Sequence, residues 1–182
     1  MRELSLNVLD IAQNSIAAGA SLTEILVKED TKEKTLLIGI YDNGKGMTPE
    51  QVENVKDPFF TTRTTRKVGM GIPLFKLAAE QTGGSFTITS QVGVGTRVEA
   101  LFKTDSIDFT PLGDMASTIA TIVSMNEDKD FVYTRSIDGK EFTFKSADIK
   151  IILDGVPLSE PSVMNWVEGY ISEQTEELFK NL

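Results

Sequence analysis

Leu36-Leu37-Ile38-Gly39-Ile40-Tyr41-Asp42-Asn43-Gly44-Lys45-Gly46-Met47 decides how this chain reads. Its first six residues are an apolar, β-branched run that predicts a strand, and the carboxylate of Asp42 falls at the strand's end. Two glycines then permit positive φ and a close approach of backbone to a ligand. Two familiar phosphate-binding patterns fail here. Gly39 to Lys45 imitates the start of a P-loop, but Gly46 stands where Ser or Thr is required and no helix begins there. Gly44-Lys45-Gly46 is followed by Pro49 where a dinucleotide fingerprint needs Gly or Ala.

Upstream, Leu4, Val8, Leu9, Ile11, Ala12 and Ile16 recur at helical spacing over residues 3–18, with Gly19 as a stop. Glu24 to Val27 predicts a strand paired with 36–41 across a charged turn from Lys28 to Lys34. Downstream, Thr48-Pro49-Glu50-Gln51 reads as a cap, opening a short helix to about Val55. Residues 57–71 form a long loop, and a helix resumes near Ile72, running through Leu74, Leu77 and Ala78 to a stop at Gly83-Gly84. Strands at 85–90 and 96–102 close this part as a hairpin around Gly93 and Gly95. Pro111-Leu112-Gly113 leads into a second region. There the pattern predicts a helix at 114–124, a hairpin of 131–135 and 141–145 turning at Asp138-Gly139, a strand at 149–153, and an amphipathic helix at 162–180. The division is therefore residues 1–104 and an α+β extension of 105–182.

Composition narrows the chemistry. The 182 residues contain neither histidine nor cysteine. That excludes disulfides, thiolate or imidazole metal sites and every Ser-His-Asp arrangement, and leaves oxygen ligands and Mg²⁺ as the favoured metal chemistry. A formal charge of −9 opposes broad adhesion to DNA or anionic lipid. No long apolar run and no signal pattern at Met1-Arg2-Glu3 is found, so the expectation is a cytoplasmic protein with neither a membrane nor a DNA partner.

Four constellations carry chemistry. Asp10 and Asn14, four residues apart, project from one helix face, and such an oxygen pair can hold Mg²⁺ and orient a water. An exposed amide and a favourable charge would read the same way in isolation. Asp42, at its strand end, can accept from an exocyclic amine such as that of adenine. Between residues 61 and 67, three cations and four hydroxyls occur with no acid. This basic loop ends at Gly69-Met70-Gly71, where a helix N-terminus would face an anion, so it suits a triphosphate lid. Finally, the Thr96 hydroxyl can support Asp42 and the base through a hydrogen bond or a water.

In this order the four elements resemble the N, G1, G2 and G3 boxes of the GHKL superfamily: gyrase, the heat-shock chaperone ATPases, histidine kinases and MutL. Asp10 to Ala20 is similar to MutL's N box, whereas Asp57-Pro58-Phe59-Phe60 and Gly69-Met70-Gly71-Ile72 resemble histidine kinases. The resemblance implies a Bergerat fold, an α/β sandwich with a mixed, largely antiparallel sheet and helices on one face, with ATP held between sheet and lid. By the same resemblance Asn14 ligates Mg²⁺ and Asp42 reads adenine. The resemblance further implies that Gly44, Gly46, Met47, Phe59, Thr62, Arg63, Lys67, Gly69, Met70, Gly71, Ile72 and Thr96 belong to the nucleotide site.

Asp10 is the candidate base, but MutL and gyrase carry Glu there and the shorter side chain reaches less far toward a water. Ala17 replaces the Asp that follows the Asn-Ser pair in MutL. Without histidine the chain cannot phosphorylate itself on that residue. The leading expectation is a stand-alone, histidine-kinase-like ATPase domain that phosphorylates or switches a separate protein partner. A slow MutL- or gyrase-like ATPase with ATP-driven dimerisation, and a non-catalytic ATP sensor, stand as alternatives. For 105–182 the reading is partner docking or self-association through the stripe that includes Val163, Trp166, Tyr170 and Leu178, against packing on the chain's own hairpin.

Overall fold

The computed structural model describes residues 3–58 and 70–182. Helix α1 (Leu4–Ala17) buries Leu4, Val8, Ile11 and Ala12, the face its spacing predicts. Strand β1 (Leu22–Asp30) and strand β2 (Thr35–Asp42) pair antiparallel with Ile25 opposite Ile40 and Val27 opposite Ile38. These strands extend into the expected charged turn and leave only residues 31–34 to make it. Lys34 turns the corner at φ 55°, and β1, paired on both edges, keeps its ladder to Asp30.

Helix α2 (Pro49–Val55) starts on a reciprocal cap: the Thr48 hydroxyl accepts from the Gln51 amide at 3.2 Å and the Gln51 side chain accepts from the Thr48 amide at 2.9 Å. Helix α3 (Gly71–Gln81), strand β3 (Ser85–Gln91) and strand β4 (Gly95–Lys103) follow, with β4 pairing antiparallel to both β3 and β2. A linker spans residues 104–114. It leads to helix α4 (Met115–Met125), the hairpin of β5 (Asp130–Ile137) and β6 (Lys140–Lys145), helix α5 (Ser146–Leu153) and helix α6 (Pro161–Lys180). Asp138 and Gly139 make the predicted turn, at φ 50° and 85°.

The strands form one six-stranded sheet in the order β3-β4-β2-β1-β5-β6, antiparallel throughout except where β5 runs parallel to β1. It is the mixed, largely antiparallel sheet of the expected α/β sandwich. Alternation sends Ile25, Ile38, Ile40, Val98, Phe102 and Tyr133 to the helix-covered face, while Glu24, Tyr41, Arg97 and Glu99 stand on the other. Phe75 of α3 is fully buried against Phe102 at 5.6 Å and Phe86 at 6.5 Å between ring centroids. Side chains buried in this way each stabilise the fold by about 1.5–3 kcal/mol. No described helix is long and apolar enough to cross a membrane.

One element departs from the sequence reading. Residues 149–153, expected to be a strand, belong to α5. Ile149 and Leu153, one turn apart, face the core while Ile151 and Ile152 are exposed, which is helical periodicity. The fully buried Ser146, whose hydroxyl accepts from the Phe131 amide at 2.8 Å, ties the start of the helix to β5. The isoleucine run carried the β signal, and tertiary packing overrode it. In α6, Val163, Val167, Ile171 and Leu178 are buried, whereas Trp166 is half exposed and stacks on Tyr170.

Candidate functional site

A cavity of about 460 Å³ opens between α1, the 42–47 turn, α2 and the ends of β2 and β4, and both Asn14 and Asp42 line it. Its walls are mainly apolar, with Ile11, Ile40, Met47, Ile72 and Val98 among them, and a few polar groups converge on it. This combination suits a planar apolar ligand with a polar handle.

Asp42 is held from two sides. One carboxylate oxygen accepts from the Ser15 hydroxyl at 2.7 Å and the other from the Gly44 amide at 2.8 Å. Each bond to an ionised acceptor is stronger than a neutral one, so the carboxylate is fixed before any ligand arrives. Asn14 sits one residue before Ser15 on α1, and among the described residues its side-chain amide has no protein hydrogen bond.

The glycine turn explains how the chain gets close enough. Gly44 packs on Ala18, where a Cβ would come within 2.9 Å of that residue's Cβ and carbonyl oxygen. Gly46 adopts φ 72°, and a Cβ there would press on the Gln91 carbonyl. Backbone bonds lock the same turn at both ends: the Lys45 amide donates to the Ala18 carbonyl at 2.9 Å, and the Gly93 amide donates to the Lys45 carbonyl at 2.8 Å. The turn is thereby clamped between the end of α1 and the β3–β4 hairpin.

Thr96 lines the cavity and pairs with Asp42 across β4 and β2, but its hydroxyl bonds to Ser90 at 2.8 Å and not to Asp42. Ser90 in turn accepts from the Met47 amide at 2.8 Å and donates to the Gly95 carbonyl at 3.0 Å. Asp10 lies outside the lining and packs against Gly71, where a Cβ would meet its Cβ at 2.9 Å. Burial raises the Asp10 carboxyl above its ordinary range. Gly71 and Ile72 open α3 behind Met70, which offers no side-chain cap. The first amides of that helix are thus left to other partners.

Of the expected site residues, the structure brings Asn14, Asp42, Gly46, Met47, Ile72 and Thr96 onto one cavity. Gly44 supports it from beneath and Asp10, Met70 and Gly71 lie at its α1–α3 side. Phe59, Thr62, Arg63, Lys67 and Gly69 lie outside the described residues. Sequence reasoning missed Lys45, Gln51 and Asn54, which line the cavity, and Ser90, which braces it. The capping box of α2 marked that helix, but only the fold shows its side chains facing the cavity. Among the described residues no three acidic side chains cluster as a metal cage. A cation here would therefore take most of its ligands from a bound anion and water, as Mg²⁺ commonly does.

Comparison with known proteins bears on residues 1–106, which match the family described as Histidine kinase-, DNA gyrase B-, and HSP90-like ATPase. Sensor protein SrrB of Staphylococcus aureus, in strains NCTC 8325 / PS 47 and COL, is 34% identical over 101 residues. That alignment covers 53% of this chain and 17% of SrrB, so the chain spans about a sixth of the relatives it matches. Among solved structures, the Aquifex aeolicus MutL ATPase domain complexed with ADP aligns over 85% of this chain and 70% of that chain, at 17% identity and a TM-score of 0.49.

Proposed function

This chain belongs to the Histidine kinase-, DNA gyrase B-, and HSP90-like ATPase family, and from that premise we propose that it binds Mg-ATP in the cavity between α1 and the sheet and phosphorylates or switches a separate protein. The observation that carries the reading is that Asp42 and Asn14 open on the same cavity, one at its floor and one on its helical wall.

Asp42 accepts a hydrogen bond from the adenine amine. Its orientation is pre-set by Ser15 and Gly44, so little reorganisation opposes binding. Ile40, Met47 and Val98 supply the apolar surface against which the base lies. Asn14 contributes its amide oxygen to Mg²⁺, and the uncapped start of α3 at Gly71 and Ile72 turns backbone N–H groups toward the phosphates. Mg²⁺, when bound, neutralises charge on the phosphate oxygens. The rest of phosphoryl transfer is positioning and charge stabilisation, which a rigid cavity provides.

Asp10 is the candidate base, held one helical turn before Asn14. Its short side chain and its packing on Gly71 favour slow water attack, hence transfer or switching over rapid hydrolysis. Phosphate release under multiple turnover, measured beside transfer of labelled phosphate to proteins of a cell extract, tests the reading. Transfer with little release supports it. Brisk release without transfer contradicts it, and neither activity with intact ATP binding reduces the protein to a nucleotide sensor.

A further inference from the structure

At the opposite end of β2 lies a second cavity of about 470 Å³, bordered by β1, β5, the 104–114 linker, α4 and α6. Leu36 lines it and Asp42 lines the nucleotide cavity, six residues along the same strand and thus about 20 Å apart. The family match ends at residue 106, and α4, β5 and α6, which supply half of its lining residues, lie beyond it.

Two buried polar side chains border this space. Arg135, only 3% exposed, donates to a Glu29 carboxylate oxygen at 2.9 Å and to the Ser136 carbonyl at 3.2 Å, and its guanidinium lies 5.8 Å from the Phe179 ring centroid. A guanidinium carries five N–H groups, so three remain without a partner among the described residues. Tyr133 is 1% exposed, and its hydroxyl makes no hydrogen bond among the described residues. No sealed polar atom lacks a partner, so that hydroxyl reaches open space, and the space beside it is this cavity. Burial holds the phenol far above its ordinary range, which keeps it a donor.

Natural cores rarely leave such groups unmatched. A guanidinium and a phenol facing an apolar-walled space of this size are the polar anchors of a ligand pocket. We propose that the cavity under α6 is a second binding site, for a small neutral compound with an apolar body and an amide or lactam edge.

The edge follows from the pairing of Arg135 with Glu29. Side by side they present free N–H donors and a free carboxylate oxygen. A cis-amide edge matches both at once, its carbonyl accepting from Arg135 and its N–H donating to Glu29. Neutrality follows from charge: Arg135 is one cation against the carboxylates of Glu29 and Asp114, so an anionic ligand would enter a site already negative. Leu36, Phe109, Leu112, Met115 and Phe179 supply the apolar surface for the body.

The test is a titration of the full chain with benzamide, 2-quinolone and benzoate, followed by amide ¹H–¹⁵N spectra. Fragments of this size bind in the millimolar range. The expected result is saturable shifts at Leu36, Met115 and Thr175 for benzamide and 2-quinolone, with a much weaker response to benzoate. Ser172→Trp plugs the mouth from an exposed helix position and should abolish these shifts with the rest of the spectrum unchanged. Contacts between ligand protons and the Met115 methyl, read on the unmodified chain, provide the same answer without a variant. Absence of saturation, shifts that survive Ser172→Trp, or benzoate binding as well as benzamide would overturn the proposal.

Discussion

The hydroxyl of Ser15 donates to the carboxylate of Asp42 at 2.7 Å, joining the helix that carries Asn14 to the strand end that carries the acid. Ser15 is 3% exposed and follows Asn14 directly, so one helical turn of α1 sets both the cavity-lining amide of Asn14 and the orientation of the Asp42 carboxylate.

Ser15→Ala should therefore weaken ATP binding by releasing one side of the Asp42 carboxylate. Removing a hydrogen bond to an ionised acceptor costs about 1.5–3 kcal/mol, roughly a tenfold loss of affinity or more. Calorimetric titration reads this directly. An unchanged Kd would mean that Gly44 alone holds Asp42.

Asn14→Ala should abolish the dependence of nucleotide affinity on Mg²⁺ while leaving the Mg-free affinity near that of the unmodified protein. The variant opens no core cavity, because Asn14 stands on the lining and not in the core. Parallel titrations with and without Mg²⁺ separate the two effects, and a fully Mg-responsive variant would remove Asn14 from the metal.

Gly46→Ala places a side chain at φ 72° and against the Gln91 carbonyl. Strain of this kind costs about 1–3 kcal/mol before the clash is counted. A fall in urea midpoint at constant slope, with ATP affinity falling alongside, is the expected pairing. Unaltered stability would show that the turn is free to shift.

Much of this was readable from residues alone. The apolar run ending at Asp42, the Thr48 cap and the Asp138-Gly139 turn are local signals, and each produced the element expected of it. The strand assigned to 149–153 failed because three β-branched residues spoke locally while packing of Ile149 and Leu153 on the core decided the outcome. Ser90 and Lys45 escaped for another reason. Their roles depend on the β3–β4 hairpin folding back onto the 42–47 turn, a relation between segments more than forty residues apart that no spacing rule encodes.

Asp10 makes the stability of the fold depend on pH. Its pKa is raised by burial, so the native state holds a proton that the unfolded chain releases more readily. The penalty is absent in acid, where both states are protonated. It appears as pH rises from the ordinary carboxylate range through the raised native value and is fully present at neutral pH. Asp10→Asn should raise the thermal midpoint at pH 7 and lose that advantage toward pH 4. Equal midpoints at both pH values would show that the carboxylate is effectively in water.

ATP recognition is tested most directly at Asp42. Titration of Mg-ATP into the chain and into Asp42→Asn should give saturable one-to-one binding in the first and at least about a tenfold weaker Kd in the second, because the adenine amine loses a charged acceptor worth about 1.5–3 kcal/mol. No binding by the unmodified chain, or the same Kd for both proteins, would contradict it.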